Sequence, residues 1–151
     1  CNLFREAKEA GLITVLWSYA RGNMSKKGET AINIISYAAH MACLCGAHII
    51  KVKLPTSYLE DDPTKDAFIK NNIKIDTAAD RVKVVKRSCF NGRRIVVFSG
   101  GEAKDDGELL KEVKAIKEGG GNGSIVGRNC FQRSRKEALT LLDQMFSIYE
   151  N

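Results

Sequence analysis

A chain of 151 residues, of which 44% are hydrophobic and 28% charged, has the composition of a globular domain that can bury a sizeable core. No apolar stretch is long enough to cross a bilayer and no signal peptide opens the chain, so we predict no membrane partner. The formal charge of +6 is compatible with nucleic-acid binding, but the basic residues are scattered. Phosphorylated small molecules explain the excess charge equally well, and we predict no nucleic-acid partner.

The five cysteines indicate neither a metal site nor a disulfide framework. They are odd in number, and none has the Cys-x-x-Cys spacing that is typical of zinc sites. Cys43 and Cys45 lie beside small apolar residues and are expected to be buried thiols. We therefore predict no bound metal and a reducing, cytoplasmic location.

The first half of the chain alternates helix and strand. Apolar residues at helical spacing predict a helix over residues 2–10, and the β-branched run over 13–17 is typical of a strand that is covered on both faces. A loop over 21–28 leads into a long apolar helix over 29–45. The next strand lies in residues 46–53 and contains Lys51.

The second half continues this alternation after an irregular excursion over residues 54–66, which holds both prolines. We predict a helix over 77–89, a strand over 94–98, a helix over 106–118, a strand over 124–126 and a helix over 134–149. Ser134 and Glu137 have the spacing of a capping box at the start of the last helix.

Strands that alternate with helices predict a parallel sheet with helices outside it. Four strands are too few for a closed eight-stranded barrel, so the candidates are a small open α/β domain or half of a barrel. The chain has no initiator methionine and starts inside a helix, which favours a piece of a longer protein. We expect residues 1–151 to form a single unit.

The most informative residue is Lys51, which ends a run of small and apolar residues. An ammonium at such a position loses hydration, which favours the neutral amine, and only the neutral amine attacks a carbonyl to form a Schiff base. The plainer interpretation is a lysine that ends a strand and extends to solvent. Both interpretations stay open on this segment alone.

Two glycine-containing turns, Ser99-Gly100-Gly101 and Gly127-Arg128, follow the last two predicted strands. Glycines allow backbone N–H groups to approach an anion, and TIM barrels often bind phosphate after their last two strands. The two turns are therefore candidate halves of a phosphate site, or else ordinary tight turns. Lys104, which follows the first turn, is either an anion contact or a solvated loop lysine.

Trp17 and Tyr19 end the first predicted strand and share its parity, so they should face the same side. Tyr19 is either a general acid–base or a core tyrosine with a satisfied hydroxyl. His40 and His48 are poor candidates for the site, because one lies in an apolar helix and the other faces away from the strand-end lysine. Lys53 is expected at the rim.

Four ordered motifs carry a family resemblance that covers nearly the whole chain: residues 17–22 (WSYARG), 46–53 (GAHIIKVK), 91–104 (NGRRIVVFSGGEAK) and 123–129 (GSIVGRN). The sequence resembles the archaeal-type class I fructose-bisphosphate aldolases, which also occur in bacteria. This resemblance implies a TIM (β/α)8 barrel of which the chain covers about strands 5–8. The acidic residue that the family carries near its first strand has no counterpart here.

The resemblance also implies roles for individual residues. Lys51 matches the Schiff-base lysine, Tyr19 the tyrosine that shuttles protons, Trp17 an aromatic that lines the pocket, and Arg21 a position near a second phosphate. The residues implied at the first phosphate are Ser99, Gly100, Gly101, Gly127 and Arg128.

The activity implied by the resemblance is cleavage of fructose 1,6-bisphosphate to dihydroxyacetone phosphate and glyceraldehyde 3-phosphate, a lyase reaction of glycolysis and gluconeogenesis. It needs no metal or organic cofactor, and the complete protein is expected to be a homo-oligomer whose isolated half is inactive. One alternative is another Schiff-base lyase or transferase of the superfamily that acts on a different phosphorylated ketose. Another is a non-catalytic phosphate-binding fragment.

Overall fold

The computed structural model describes residues 1–150, which form seven α-helices, one 3-10 turn and four β-strands. In chain order these are α1 (Asn2–Glu9), β1 (Val15–Trp17), the 3-10 turn (Gly28–Thr30), α2 (Ile32–Leu44), β2 (Ile49–Lys53), α3 (Asp62–Lys70), α4 (Ala78–Ser88), β3 (Ile95–Ser99), α5 (Asp106–Glu118), β4 (Gly123–Ile125), α6 (Arg128–Phe131) and α7 (Arg135–Glu150).

The four strands form one parallel sheet in the order β1-β2-β3-β4. Trp17 pairs with Lys51, Lys51 with Val97 and Val97 with Gly123, so these residues form one row across the sheet. Adjacent parallel strands connected through helices are the repeating unit of a TIM-barrel wall. The predicted parallel α/β fold is confirmed.

One face of the sheet forms the main hydrophobic core. Ile50 and Val52 of β2 and Val96 and Phe98 of β3 are fully buried on this face, in the same cluster as buried side chains of α2 and α4. Burial of each such side chain stabilises the fold by about 1.5–3 kcal/mol. The helix layer therefore holds β2 and β3 firmly and fixes which residues point to the opposite face.

The opposite face of the sheet is largely open. Val15 and Trp17 are 46% and 62% exposed, and Ile95 and Ile125 are 45% and 40% exposed. The prediction that residues 13–17 are covered on both faces is therefore wrong for the described residues, and β1 has only three residues. An apolar run looks the same whether its second face meets helices or the interior of a barrel, where other strands cover it.

The segment predicted to be irregular contains a helix that the sequence analysis missed. Asp61 caps α3, with its side chain accepting a hydrogen bond from the Thr64 backbone N–H at 2.9 Å, and Pro63 occupies the first turn. Proline and acidic residues are favoured at this end of a helix, so the residues that suggested a loop are the start signal of α3.

The other predicted helices are confirmed within a few residues at each end. The helix predicted over 29–45 begins with the 3-10 turn and continues as α2. Ser134 and Glu137 form the predicted capping box, in which the Ser134 hydroxyl donates to the Glu137 carboxylate at 2.7 Å. No helix within residues 1–150 is long and apolar enough to span a membrane.

Candidate active site

A cleft of about 970 Å³ lies at the carboxyl ends of the strands, where ligands bind in parallel α/β proteins. Eight of the nine predicted site residues line it: Tyr19, Arg21, Lys51, Ser99, Gly100, Gly101, Gly127 and Arg128. A second cleft of about 1000 Å³ lies between α2, α3 and α4 on the outer side and contains none of them. The chemistry-bearing residues therefore point to the strand-end cleft.

Lys51 is 7% exposed although it lies on the open face of the sheet. Its Nζ lies 3.5 Å from the centroid of the Trp17 ring and 6.0 Å from that of Tyr19. Within residues 1–150, no carboxylate forms a salt bridge with this ammonium. Lys51 therefore places a shielded nitrogen on an aromatic face, an arrangement that suits the cationic iminium of a Schiff base.

The register of β1 and β2 produces this contact. Because Trp17 pairs directly with Lys51, their side chains stand next to each other on one face, and the Trp17 and Tyr19 rings lie 6.4 Å apart. The intervening Ser18 faces the other way, and its hydroxyl donates to the Ala38 carbonyl of α2 at 2.7 Å. This hydrogen bond fixes the backbone that presents Tyr19 to the cleft.

The two glycine-containing turns meet at the other side of the cleft. The Arg128 guanidinium donates to the Gly101 carbonyl at 3.0 Å, and the Gly100 N–H donates to the Ile125 carbonyl at 3.1 Å. The Gly100 amide is thus used to extend the sheet. Gly100 therefore does not offer its amide to an anion, and its role is to allow the tight turn, because a Cβ there would lie 3.0 Å from Val126 Cγ1.

Asn129 connects these turns and was not singled out as a site residue in the sequence analysis. Its side chain is 2% exposed, and its Oδ1 accepts from the Lys104 backbone N–H at 2.7 Å while its Nδ2 donates to the Glu102 carbonyl at 3.0 Å. Asn129 therefore holds the loop after β3 against α6. A polar residue directly after Gly127-Arg128 is the only sequence signal for this role.

A cluster of charged side chains lies at the ends of β1 and β2 and was also missed. Glu29 accepts hydrogen bonds from Lys26, Arg21 and Lys53, with nitrogen–oxygen distances of 3.1, 3.0 and 3.1 Å. The hydrogen bonds from Lys26 and then Lys53 lower the pKa of Glu29 to about 2. Arg21 and Lys53 also line the cleft, so Lys53 occupies its rim as predicted.

Lys104 and the two histidines have structural partners. Lys104 lines the cleft and forms a salt bridge with Glu112. His48 accepts a hydrogen bond at Nδ1 from the Thr14 N–H at 3.0 Å, and the His40 ring contacts the Ser88 carbonyl at 2.8 Å. Neither histidine lines the strand-end cleft. Within residues 1–150, no group of three His, Cys, Asp or Glu side chains is placed to hold a metal ion.

Residues 2–133 match the DeoC/LacD family of aldolases. The chain belongs to this family. Members of the DeoC/LacD family are TIM barrels, and the four-stranded sheet described above is half of such a barrel, as predicted.

Individual relatives of this DeoC/LacD family chain have similar sequences and structures. It is 32% identical over 161 residues to a probable class 1 fructose-bisphosphate aldolase of Chlamydia muridarum, an alignment that covers 97% of this chain and 45% of that protein. The fructose-bisphosphate aldolase of Slackia heliotrinireducens superposes with a TM-score of 0.72 at 31% identity, covering 99% of this chain and 46% of that one.

One solved structure bears directly on the chemistry. It is an archaeal fructose-1,6-bisphosphate aldolase whose catalytic Lys is covalently bound to the carbinolamine intermediate of the substrate. The TM-score is 0.68 at 30% identity, with 97% of this chain and 49% of that chain covered. The chain thus spans about half the length of the relatives that it matches.

Proposed function

We propose that this chain is the catalytic half of a Schiff-base-forming aldolase that cleaves fructose 1,6-bisphosphate to dihydroxyacetone phosphate and glyceraldehyde 3-phosphate. The observation that carries this proposal is the position of Lys51, which is the middle residue of β2 and is shielded beside Trp17 and Tyr19. The names of the relatives and the carbinolamine in one of them support the same chemistry.

In the proposed mechanism, the Lys51 amine attacks the C2 ketone to form a carbinolamine, and loss of water gives an iminium. The Tyr19 hydroxyl accepts the proton of the C4 hydroxyl as it passes its own proton to a water molecule, the C3–C4 bond breaks, and the electron pair of that bond moves to the iminium to form an enamine. Glyceraldehyde 3-phosphate leaves. Protonation of the enamine at C3 and hydrolysis then release dihydroxyacetone phosphate and restore the amine.

The surroundings of Lys51 support these steps. The Trp17 ring below Nζ favours a cation at that point, so it stabilises the iminium on which bond cleavage depends. The turns at Ser99, Gly101 and Gly127-Arg128 supply one anion site, and Arg21 lies where a second phosphate is reached. No step in this sequence requires a metal or an organic cofactor.

The complete protein is expected to work in the cytoplasm as a homo-oligomer. The five cysteines are free thiols, which suits a reducing compartment. An exposed apolar stripe on α2, formed by Tyr37, Met41 and Leu44, suits contact with another subunit. Sedimentation of the complete protein measures its oligomeric state, and a monomer at physiological concentration would contradict this part of the proposal.

Trapping of the covalent intermediate tests the proposed chemistry. Borohydride added to the complete protein with dihydroxyacetone phosphate should reduce the imine and leave a stable adduct on Lys51, located by peptide mass spectrometry. Lys51→Met should lose both adduct and cleavage, whereas Lys53→Met should keep the adduct. An adduct on any other lysine would refute the assignment, and cleavage rates on other ketose phosphates separate this aldolase from a relative with a different substrate.

A further inference from the structure

Glu29 is the centre of a compact ion-pair network at the rim of the cleft, formed with Arg21, Lys26 and Lys53 and here called the Glu29 cluster. A single oxygen, Glu29 Oε2, accepts from Arg21 at 3.0 Å and from Lys53 at 3.1 Å, while Oε1 accepts from Lys26 at 3.1 Å. Arg21 follows β1 and Lys53 ends β2. One carboxylate oxygen therefore brings together cations from two neighbouring strand ends.

The backbone around Glu29 is held in place independently of these ion pairs. Glu29 lies in the 3-10 turn, and the next residue, Thr30, accepts a hydrogen bond at its carbonyl from the Thr56 N–H at 2.8 Å. Ala31 forms a parallel bridge with Thr56. The backbone next to Glu29 is thus attached to the loop that follows β2, and the Glu29 side chain is only 15% exposed.

The charges of the Glu29 cluster do not balance. Three cations surround one carboxylate, and the low pKa of Glu29 keeps that carboxylate ionised at neutral pH, so the cluster carries a net charge of +2. Arg21 and Lys53 face the cleft, whereas Lys26 is 90% exposed and does not line it. A phosphate monoester dianion carries the charge that would neutralise this excess.

We propose that Glu29 is a positioning residue that makes the site prefer a bisphosphate over a monophosphate, by holding Arg21 and Lys53 together as a preformed receptor for the second phosphate. This inference rests on the proposed aldolase function. Without the carboxylate, the two cations repel each other and regain side-chain freedom that a bound phosphate must remove. Glu29 itself touches no reacting atom.

Two non-reactive ligands test this role in the complete protein. Hexitol 1,6-bisphosphate and hexitol 1-phosphate have no ketone, so they cannot form an imine, and calorimetry reports their binding alone. In Glu29→Gln, the dissociation constant of the bisphosphate should rise by about tenfold, because Arg21 and Lys53 are no longer held in place for the second phosphate. That of the monophosphate, whose single phosphate can occupy the glycine-containing turns, should stay within about twofold.

Kinetics and a control variant separate positioning from damage to the fold. In Glu29→Gln, KM for fructose 1,6-bisphosphate should rise while kcat stays within about twofold, because the amine and Tyr19 are untouched. Asp62→Asn removes an equally charged partner from the exposed Lys65–Asp62 pair on α3 and should change neither ligand affinity nor KM. Glu29→Asp, which keeps the charge, should recover part of the loss.

Three outcomes would overturn the inference. Tighter bisphosphate binding in Glu29→Gln would show that the carboxylate competes with phosphate, equal losses for both ligands would show a general structural effect, and unchanged binding of both would show no role. Failure of the proposed function is distinguishable from these results. It appears as absence of a Lys51 adduct in the unmodified protein, whereas the hexitol titrations do not depend on imine formation.

Discussion

The hydroxyl of Tyr19 is the group on which the proposed proton transfer depends. Tyr19→Phe keeps the ring near Lys51 and removes only this hydroxyl, so kcat for cleavage should fall by about 10²–10⁴-fold, the usual contribution of a general acid–base. Adduct formation at Lys51 with dihydroxyacetone phosphate should persist. An enzyme with unchanged kcat would show that another group moves this proton.

Asn129 should contribute more to stability than an exposed asparagine of the same size. Asn129→Ala removes two hydrogen bonds of a buried side chain and leaves the part-buried Lys104 N–H and Glu102 carbonyl without these partners, which should lower the free energy of unfolding by about 1–3 kcal/mol. Asn71→Ala removes an exposed side-chain hydrogen bond to the Ala67 carbonyl within one helix end and should cost much less. Urea unfolding of the complete protein compares the two variants, and equal losses would contradict the role of Asn129.

The proposed reaction at Lys51 predicts that cleavage does not depend on a metal ion. Because the Lys51 iminium supplies the electron sink in the proposed mechanism, incubation of the complete protein with EDTA should leave the cleavage rate unchanged. Loss of activity that zinc restores would point to metal-dependent aldol cleavage instead.

At the level of single elements, α4 has a capping box that makes its stability depend on pH. The Thr77 hydroxyl donates to the Asp80 carboxylate at 2.6 Å, and this hydrogen bond, followed by one from the Thr77 N–H, lowers the pKa of Asp80. A carboxyl whose pKa is depressed by folding stabilises the protein above its unfolded pKa of about 4 and loses that contribution as the pH falls through the folded value.

The stability difference between the unmodified protein and Asp80→Asn should therefore be present at pH 7 and disappear as the pH falls below about 4. Thermal unfolding at a series of pH values measures this difference. Asp62→Asn removes an exposed carboxylate from α3 and serves as a control for the loss of one charge. A difference that stays constant between pH 7 and pH 2 would show that the Asp80 charge does not stabilise α4.

The elements that are predicted best are those whose start and spacing are encoded by residues close together in the sequence. The helix over 106–118 is predicted with the observed bounds because apolar residues recur at helical spacing. In the structure its start is fixed by Asp105, whose side chain accepts a hydrogen bond from the Glu108 N–H. By contrast, α3 was hidden because Pro63 and its acidic neighbours are typical of both loops and helix starts. Periodicity also cannot report that one face of β1 is open, because an apolar run has the same pattern whether that face is covered or exposed.

The candidate site, like the fold, can be predicted from the sequence only in part. Lys51 and Tyr19 become candidates because they lie in or directly after apolar strands, and they receive their proposed roles from the family resemblance. The Glu29 cluster requires knowing that the 3-10 turn comes back to the ends of β1 and β2. The family resemblance directs attention to residues with assigned roles. The resemblance gives no information on residues such as Asn129, which hold the residues with assigned roles in place.

At the level of the whole molecule, residues 1–151 expressed alone should associate and lack cleavage activity. The open face of the sheet exposes apolar side chains on three strands, and such a surface favours contact with another chain. Sedimentation should show dimers or larger species. An active, monodisperse monomer would refute this prediction.

Charge substitutions can locate the surface responsible. Ile95→Lys and Ile125→Lys place an ammonium on the open face and should shift the sedimentation profile towards monomer. Ile69→Lys changes a side chain that is 75% exposed on α3, away from that face, and should leave association unchanged. If all three variants dissociate the assembly equally, general solubility rather than the open face controls association.

The row formed by Trp17, Lys51, Val97 and Gly123 links correct folding to reactivity. Side chains alternate between faces with a period of two, so an insertion or slip of one residue in β2 would turn Lys51 towards the apolar helix layer and Ile50 or Val52 towards the cleft. The misaligned strand would bury an unpaired ammonium and lose core packing at the same time. Molecules with the wrong register are thus expected to be unstable and to lack the proposed activity, so the core that stabilises the sheet also selects the register that places the proposed nucleophile in the cleft.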